Sequence, residues 1–261
     1  DSGSSASGII DIGVVTTNSK LLALTSGTTN GATINVVSVD NTAGGLNIIN
    51  AGGAVTFAGT VGNSTGRGAI TIDNSQQGVE FQGAVFGTTA TINNTAFGKT
   101  VKFGGNLNLT GAIVTSSNGY NIDVVGANNS IGGNSTFNNL GNVTINGATA
   151  NASTNFASGF TANFPAALNL AGNILSGTNF NVVSPVNLLA NTNLSFNGTT
   201  NSFSGAFSGN GSMTTTGTGN VYMNGISPAY AGVLTSNSGN LVVNGNFSSA
   251  TVQTGSSNGT V

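Results

Sequence analysis

The sequence predicts an all-β chain wound as a parallel β-helix, a β-solenoid of roughly 11 coils. Three observations predict it. A five-residue phrase, apolar-x-apolar-x-Gly, returns at intervals of 20–27 residues. Each phrase alternates apolar and polar residues with the period of two that marks a half-buried strand. Gly, Asn, Thr and Ser dominate the composition, all poor in helix interiors, and no segment sustains a 3.6-residue apolar stripe.

The phrase opens as Val55-Thr56-Phe57-Ala58-Gly59, Val79-Glu80-Phe81-Gln82-Gly83, Val101-Lys102-Phe103-Gly104-Gly105 and Ile122-Asp123-Val124-Val125-Gly126. It continues at Val143–Gly147, Leu168–Gly172, Leu194–Gly198, Val221–Gly225 and Leu241–Gly245, with degenerate copies near Ile12 and Ile34. A further copy, Leu107-Asn108-Leu109-Thr110-Gly111, falls between two others and fits a second face of the same coil. The closing Gly suits a bend or a positive φ. An antiparallel sandwich also carries frequent turns, but its strands need not share one phrase at a steady pitch.

Aligning the phrases predicts columns. Val55, Val79, Val101, Ile122, Val143, Leu168, Leu194, Val221 and Leu241 are expected to stack inward as one aliphatic ladder. Phe57, Phe81, Phe103, Val124, Ile145, Leu170, Phe196, Met223 and Val243 are expected as a second beside it. The residues between them, Thr56, Glu80, Lys102, Asp123, Thr144, Asn169, Ser195, Tyr222 and Val242, are expected to face solvent. Glu80, Lys102 and Asp123 then form a surface charge ladder of alternating sign, worth about 0.2–1 kcal/mol per pair. Asn146, Asn197, Asn224 and Asn244 precede the Gly, where Asn tolerates left-handed backbone and its amide can bond the next coil. Residues 1–8 read as a flexible lead-in and 9–261 as a single β-helix domain.

Composition removes whole classes of chemistry. The 261 residues include no Cys and no His, so disulfides, thiol nucleophiles and imidazole triads are excluded. Charged residues make up 4% and the net charge is −2, which leaves no basic face for nucleic acid. No apolar run approaches the roughly 18–20 residues of a membrane-spanning helix. Asp1–Gly8 has neither the basic nor the apolar stretch of a signal peptide and reads as the start of a mature or excised segment.

Catalytic readings are thin. Asp73 and Glu80 are the one sequence-local acidic pair for a two-carboxylate glycosidase. Lys99 or Lys102 would have to serve a Ser–Lys dyad from an ordinary solvated setting. The calcium nonapeptide Gly-Gly-x-Gly-x-Asp is absent, and Gly209-Asn210-Gly211 and Gly217-Thr218-Gly219 lack the βαβ setting of a nucleotide loop. Thr214-Thr215-Thr216 raises an ice-binding array, but the aligned columns carry no regular Thr-x-Thr. No catalytic residue, cofactor or metal is therefore assigned.

The last repeats carry more than a period. Gly219-Asn220-Val221-Tyr222-Met223-Asn224-Gly225 is followed by Ser227-Pro228-Ala229-Tyr230-Ala231-Gly232, Val233-Leu234-Thr235 and Ser238-Gly239-Asn240-Leu241-Val242-Val243-Asn244-Gly245. Residues 219–261 thus resemble the passenger-associated repeat of bacterial autotransporters: a strand ending in Gly, a Tyr-x-Gly corner, and Gly-x-Leu-x-Val-Asn-Gly. The resemblance implies a right-handed β-helix on, or shed from, a Gram-negative outer membrane; in the family this repeat lies toward the C-terminal end of the passenger, ahead of a membrane β-barrel. No barrel-like segment follows Val261, so the chain is expected to be a fragment, a cleaved passenger or something else. No Asn-Pro-Asn-Gly marks a two-partner-secreted haemagglutinin. The expected function is an extracellular, non-catalytic adhesin or structural rod whose partners are cell-surface glycans or proteins. The alternative is a filament or sheath subunit stacked end to end through strand edges.

Overall fold

The computed structural model describes residues 8–27, 31–40, 42–255 and 259–261. Most of the lead-in, residues 1–7, thus lies outside the described residues. Those described form 29 strands and no helix. All strand pairings are parallel, in a 17-stranded and a 12-stranded sheet. The larger sheet wraps around a corner and supplies two faces of the coil; the smaller supplies the third, with twelve strands where the phrase count predicts about eleven coils.

One coil shows the plan. Val79–Phe81 lies on the first face, Val85–Gly87 on the second and Ala90–Ile92 on the third. The next coil places Thr100–Phe103, Leu107–Leu109 and Ile113–Thr115 directly over them. In each three-residue strand of this coil the outer two residues are buried and the middle one faces outward. The interleaved copy at Leu107 sits, as expected, on the second face, between Val85–Gly87 and Asn128–Ile131.

The Gly that ends the phrase serves close stacking more than a special φ. Gly59, Gly83, Gly105 and Gly126 turn the chain from the first face to the second, and none has a positive φ. They lie one over another, and a Cβ on Gly105 would collide with the carbonyl oxygen of Gly83. A methyl group there would hold successive coils apart. Gly147 and Gly172, which close later copies, do take positive φ, 57° and 66°, and the Asn-Gly pattern also foresees a left-handed Asn146. Its φ is 67°, it is buried, and its amide donates to Ala171 O at 2.9 Å and Asn173 O at 3.1 Å in the next coil.

The ladders exist, but the expected single column is three. Ile34, Val55, Val79, Val101, Ile122, Val143 and Leu168 pair in succession on the first face and continue through Val186 and Phe207. Leu194 belongs to the second face, between Ile174 and Thr215, and Val221 and Leu241 pair on the third. The neighbouring ladder divides in the same way. Phe57, Phe81, Phe103, Val124, Ile145 and Leu170 run on the first face, Phe196 pairs with Ser176 on the second, and Met223 pairs with Val243 on the third.

The break has a local cause. Two strands, Leu168–Ser176 and Val186–Phe196, run straight from the first face into the second, so that coil needs only 18 residues between Leu168 and Val186. The first-face strand there, Val186-Asn187-Leu188, has no closing Gly, and the next copy of the phrase falls one face further on.

Aromatic stacking follows these columns. Phe57, Phe81 and Phe103 lie nearly parallel, with centroids 4.8 and 5.1 Å apart, the spacing of the coils themselves. Further along, Phe160 and Phe180 stack at 4.3 Å on the third face, and Phe156 closes edge-on against Phe160.

Phe81→Ala removes the middle ring of the first stack and should lower the unfolding free energy by about 3–5 kcal/mol, whereas outward-facing Thr56→Ala should stay within about 0.5 kcal/mol. Denaturant titration of both variants measures the contrast. Gly105→Ala, which adds one methyl at the corner, should destabilise more than Thr56→Ala in the same titration.

Candidate functional site

The charged groups gather on the outward column of the first face. Strand pairing places Thr56, Glu80, Lys102, Asp123, Thr144 and Asn169 in register on successive coils. The expected column holds for these six. Ser195 lies instead on the second face beside Leu175, and Tyr222 and Val242 pair on the third, displaced with the ladders they flank.

Lys102 Nζ meets Glu80 Oε1 at 2.8 Å, with both side chains more than a third exposed. The hydrogen bond from Lys102 holds the Glu80 carboxyl below its usual range, and the same bond raises the Lys102 ammonium. Asp123 goes the other way. Burial pushes its carboxyl up, partly offset by a hydrogen bond from Thr144 and by the charge of Lys102. Beside this pair runs a shallow open groove bordered by Thr56, Gln77, Glu80, Lys99 and Lys102.

Each of the five acidic side chains among the described residues is engaged by a neighbour. Asp11 accepts from Asn35 Nδ2 at 2.8 Å and Asp40 from the Thr17 N–H at 3.1 Å. Asp73 accepts from Asn47 at 2.9 Å on one oxygen and from Asn93 at 2.8 Å on the other. Asp73 follows the third-face strand Ile70–Ile72, whereas Glu80 projects from the first face. The two carboxylates of the glycosidase reading are therefore engaged separately, on different faces. Among the described residues no three His, Cys, Asp or Glu side chains cluster as metal ligands.

Two arrangements escape sequence reasoning because their partners lie far apart in the chain. Arg67 donates to Asn108 O at 3.0 Å and places its guanidinium 5.4 Å from the centre of the Phe86 ring. Tyr120 is fully buried, and its hydroxyl donates to Ile92 O at 2.7 Å. Burial pushes that phenol up to about 12.

The Tyr-Ala-Gly stretch forms a corner of the solenoid. Tyr230 is buried, its hydroxyl donates to Gly211 O at 2.8 Å, and its ring meets Phe207 edge-on. A Cβ on Gly232 would strike that ring, which accounts for the Gly. The strands around it, Asn220–Met223, Val233–Ser236 and Gly239–Val243, fall on the third, second and third faces. Asn224 and Asn244 bond amide to amide at 3.0 Å, as the Asn-Gly pattern predicts.

Comparison with family models, with curated proteins and with solved structures returns no match for this chain.

The charge ladder should titrate in opposite senses. A lowered Glu80 contributes stability that is present above its unfolded pKa and lost as pH falls through its folded value. A raised Asp123 favours the fold in its protonated form, so its contribution turns unfavourable as pH rises through its folded value. Side-chain carboxyl NMR should place the Glu80 midpoint below, and the Asp123 midpoint above, that of the same residue type in the unfolded chain. Because the pair is solvated, Glu80→Gln should change stability by less than about 1 kcal/mol.

Proposed function

We propose that the chain is a non-catalytic β-helical rod of the autotransporter-passenger type, displayed at or released from a bacterial surface, where it binds glycans. One observation carries this reading: the outward columns repeat neutral amides and hydroxyls at the pitch of the coils. Asn173 and Asn193 bond at 2.9 Å on the second face, and Asn169 and Asn187 at 3.0 Å on the first. Asn220 and Asn240 bond at 2.9 Å beside the third. A polymeric glycan also presents the same groups at regular intervals, so weak contacts repeated along the rod add by avidity. The engagement of every described acidic side chain within the solenoid supports the non-catalytic part of the reading.

Binding to glycan arrays and to intact cells tests this. Retention should rise steeply from monosaccharides to polymers, and Asn173→Ala with Asn193→Ala should weaken it. Equal retention of monomer and polymer, or turnover of a polysaccharide, contradicts the reading. Growth into fibres with concentration, seen by sedimentation and negative-stain microscopy, replaces it with the end-to-end filament.

A further inference from the structure

Eight Asn-Gly pairs occur in the sequence, and six of them lie wholly among the described residues, at Asn118, Asn146, Asn197, Asn210, Asn224 and Asn244. The pair has a chemistry of its own. With no Cβ on the Gly to obstruct it, the Gly backbone nitrogen can reach the Asn side-chain carbonyl carbon and close a five-membered ring. In a folded chain this needs a carboxamide free to rotate and a Gly N–H with no acceptor to leave.

Five of the six pairs fail at least one of these conditions. Asn146 is buried, with its amide on the carbonyls of Ala152, Ala171 and Asn173. Asn118 donates to Asn93 O at 3.0 Å. The carboxamides of Asn224 and Asn244 hold each other at 3.0 Å. Beside Asn210, the Gly211 N–H is held by Leu188 O at 3.2 Å. Asn197 differs. It is exposed, its carboxamide bonds no protein partner among the described residues, and neither does the Gly198 N–H.

The cause lies in the phrase that slips to the second face. Asn197 follows Phe196 there, as Gly177 follows Ser176 in one neighbouring coil and Thr218 follows Gly217 in the other. It therefore stands between a Gly and a Thr. No Asn lies over it to close an amide ladder of the kind at Asn224.

We propose that Asn197 is a site of spontaneous deamidation in the folded chain. The Gly198 nitrogen attacks Cγ of Asn197, the new Cγ–N bond replaces the Cγ–Nδ2 bond, and Nδ2 leaves as ammonia with the proton from the Gly N–H. Water then opens the ring at either carbonyl. One product is an aspartate on the original backbone; the other is an isoaspartate, whose backbone runs through the side-chain carbon. Either carries a carboxylate, and no Asp, Glu, Lys or Arg occurs over residues 124–261. The reaction thus places a charge on the neutral part of the rod, at the corner from the second face to the third. The isoaspartate also adds a backbone carbon at a corner where a Cβ on Gly198 would already strike Thr178 O. The proposal stands independently of the display reading.

The test is incubation of the folded chain at mildly alkaline pH below its melting temperature, with the six pairs followed by peptide mapping and mass spectrometry. A parallel sample is held unfolded in guanidinium. A hydrogen bond that must open before the attack slows it about fivefold. Asn197 should therefore convert first in the folded chain and lead each of the other five pairs by at least that factor. In the unfolded chain the six rates should converge, because the reacting groups are the same. Conversion of Asn118, Asn210 or Asn224 ahead of Asn197 in the folded chain overturns the proposal, as does a common rate for all six. So does an Asn197 that stays intact for as long as the unfolded chain takes to convert, or a lead that persists undiminished in guanidinium.

Discussion

The structure depends on one constraint: coils pair in parallel and in register, so each side chain lies over its counterpart in the next coil. Like then sits on like along the whole rod. Apolar columns satisfy this easily, because Val over Val or Phe over Phe buries surface at every step, and flat rings stack at the coil spacing. Polar columns satisfy it only with self-complementary groups. An Asn amide both donates and accepts, so Asn over Asn closes a ladder, as at Asn224 and Asn244. A column of one charge would repel itself at every coil. The scarcity of charge, 4% of residues, follows from this. Where ionic residues do share a column, at Glu80, Lys102 and Asp123, the sign alternates.

The corners obey the same rule with smaller tolerance. Turning between faces within a few residues brings backbone onto backbone, and the Gly59–Gly83–Gly105–Gly126 column leaves no volume for a side chain. Beside the Gly, buried polar side chains also serve these corners. Asn129 accepts from the Leu107 N–H at 3.0 Å and donates to Thr154 Oγ1 at 3.0 Å, and Thr154 donates to Asn146 at 2.6 Å. This internal network takes up backbone groups that the turn leaves without strand partners, at positions where an apolar residue would strand them.

Much of this was legible in the sequence, because alternation and Gly spacing are direct imprints of strand and corner. The all-β class, the solenoid, the first-face ladder from Val55 to Leu168 and the alternating charges all follow from them. Face identity does not. Every face uses the same in-out-in strand, so a local phrase cannot say which face it occupies, and Leu194, Val221 and Leu241 slip to other columns once a coil shortens. The third-face column through Thr71, Thr91, Val114, Thr136 and Thr161 was invisible for a related reason. Asn74, Asn94, Ser117, Asn139 and Phe164 stand where the phrase would place its Gly, so a search for the closing Gly passes over these strands. The Arg67–Asn108 bond joins a residue of the connecting turn to a strand two coils on, and no local pattern encodes it.

The register of successive coils is tested most directly by spin labels on Thr56→Cys and Asn169→Cys, in a chain that has no cysteine of its own. The two outward positions are five coil steps apart on one face. Pulsed electron paramagnetic resonance should give one narrow distance distribution that, after allowing for the label arms, corresponds to about 24 Å between backbones. A broad distribution, or a single distance far from that value, would contradict in-register winding and with it the columns from which the other conclusions are drawn.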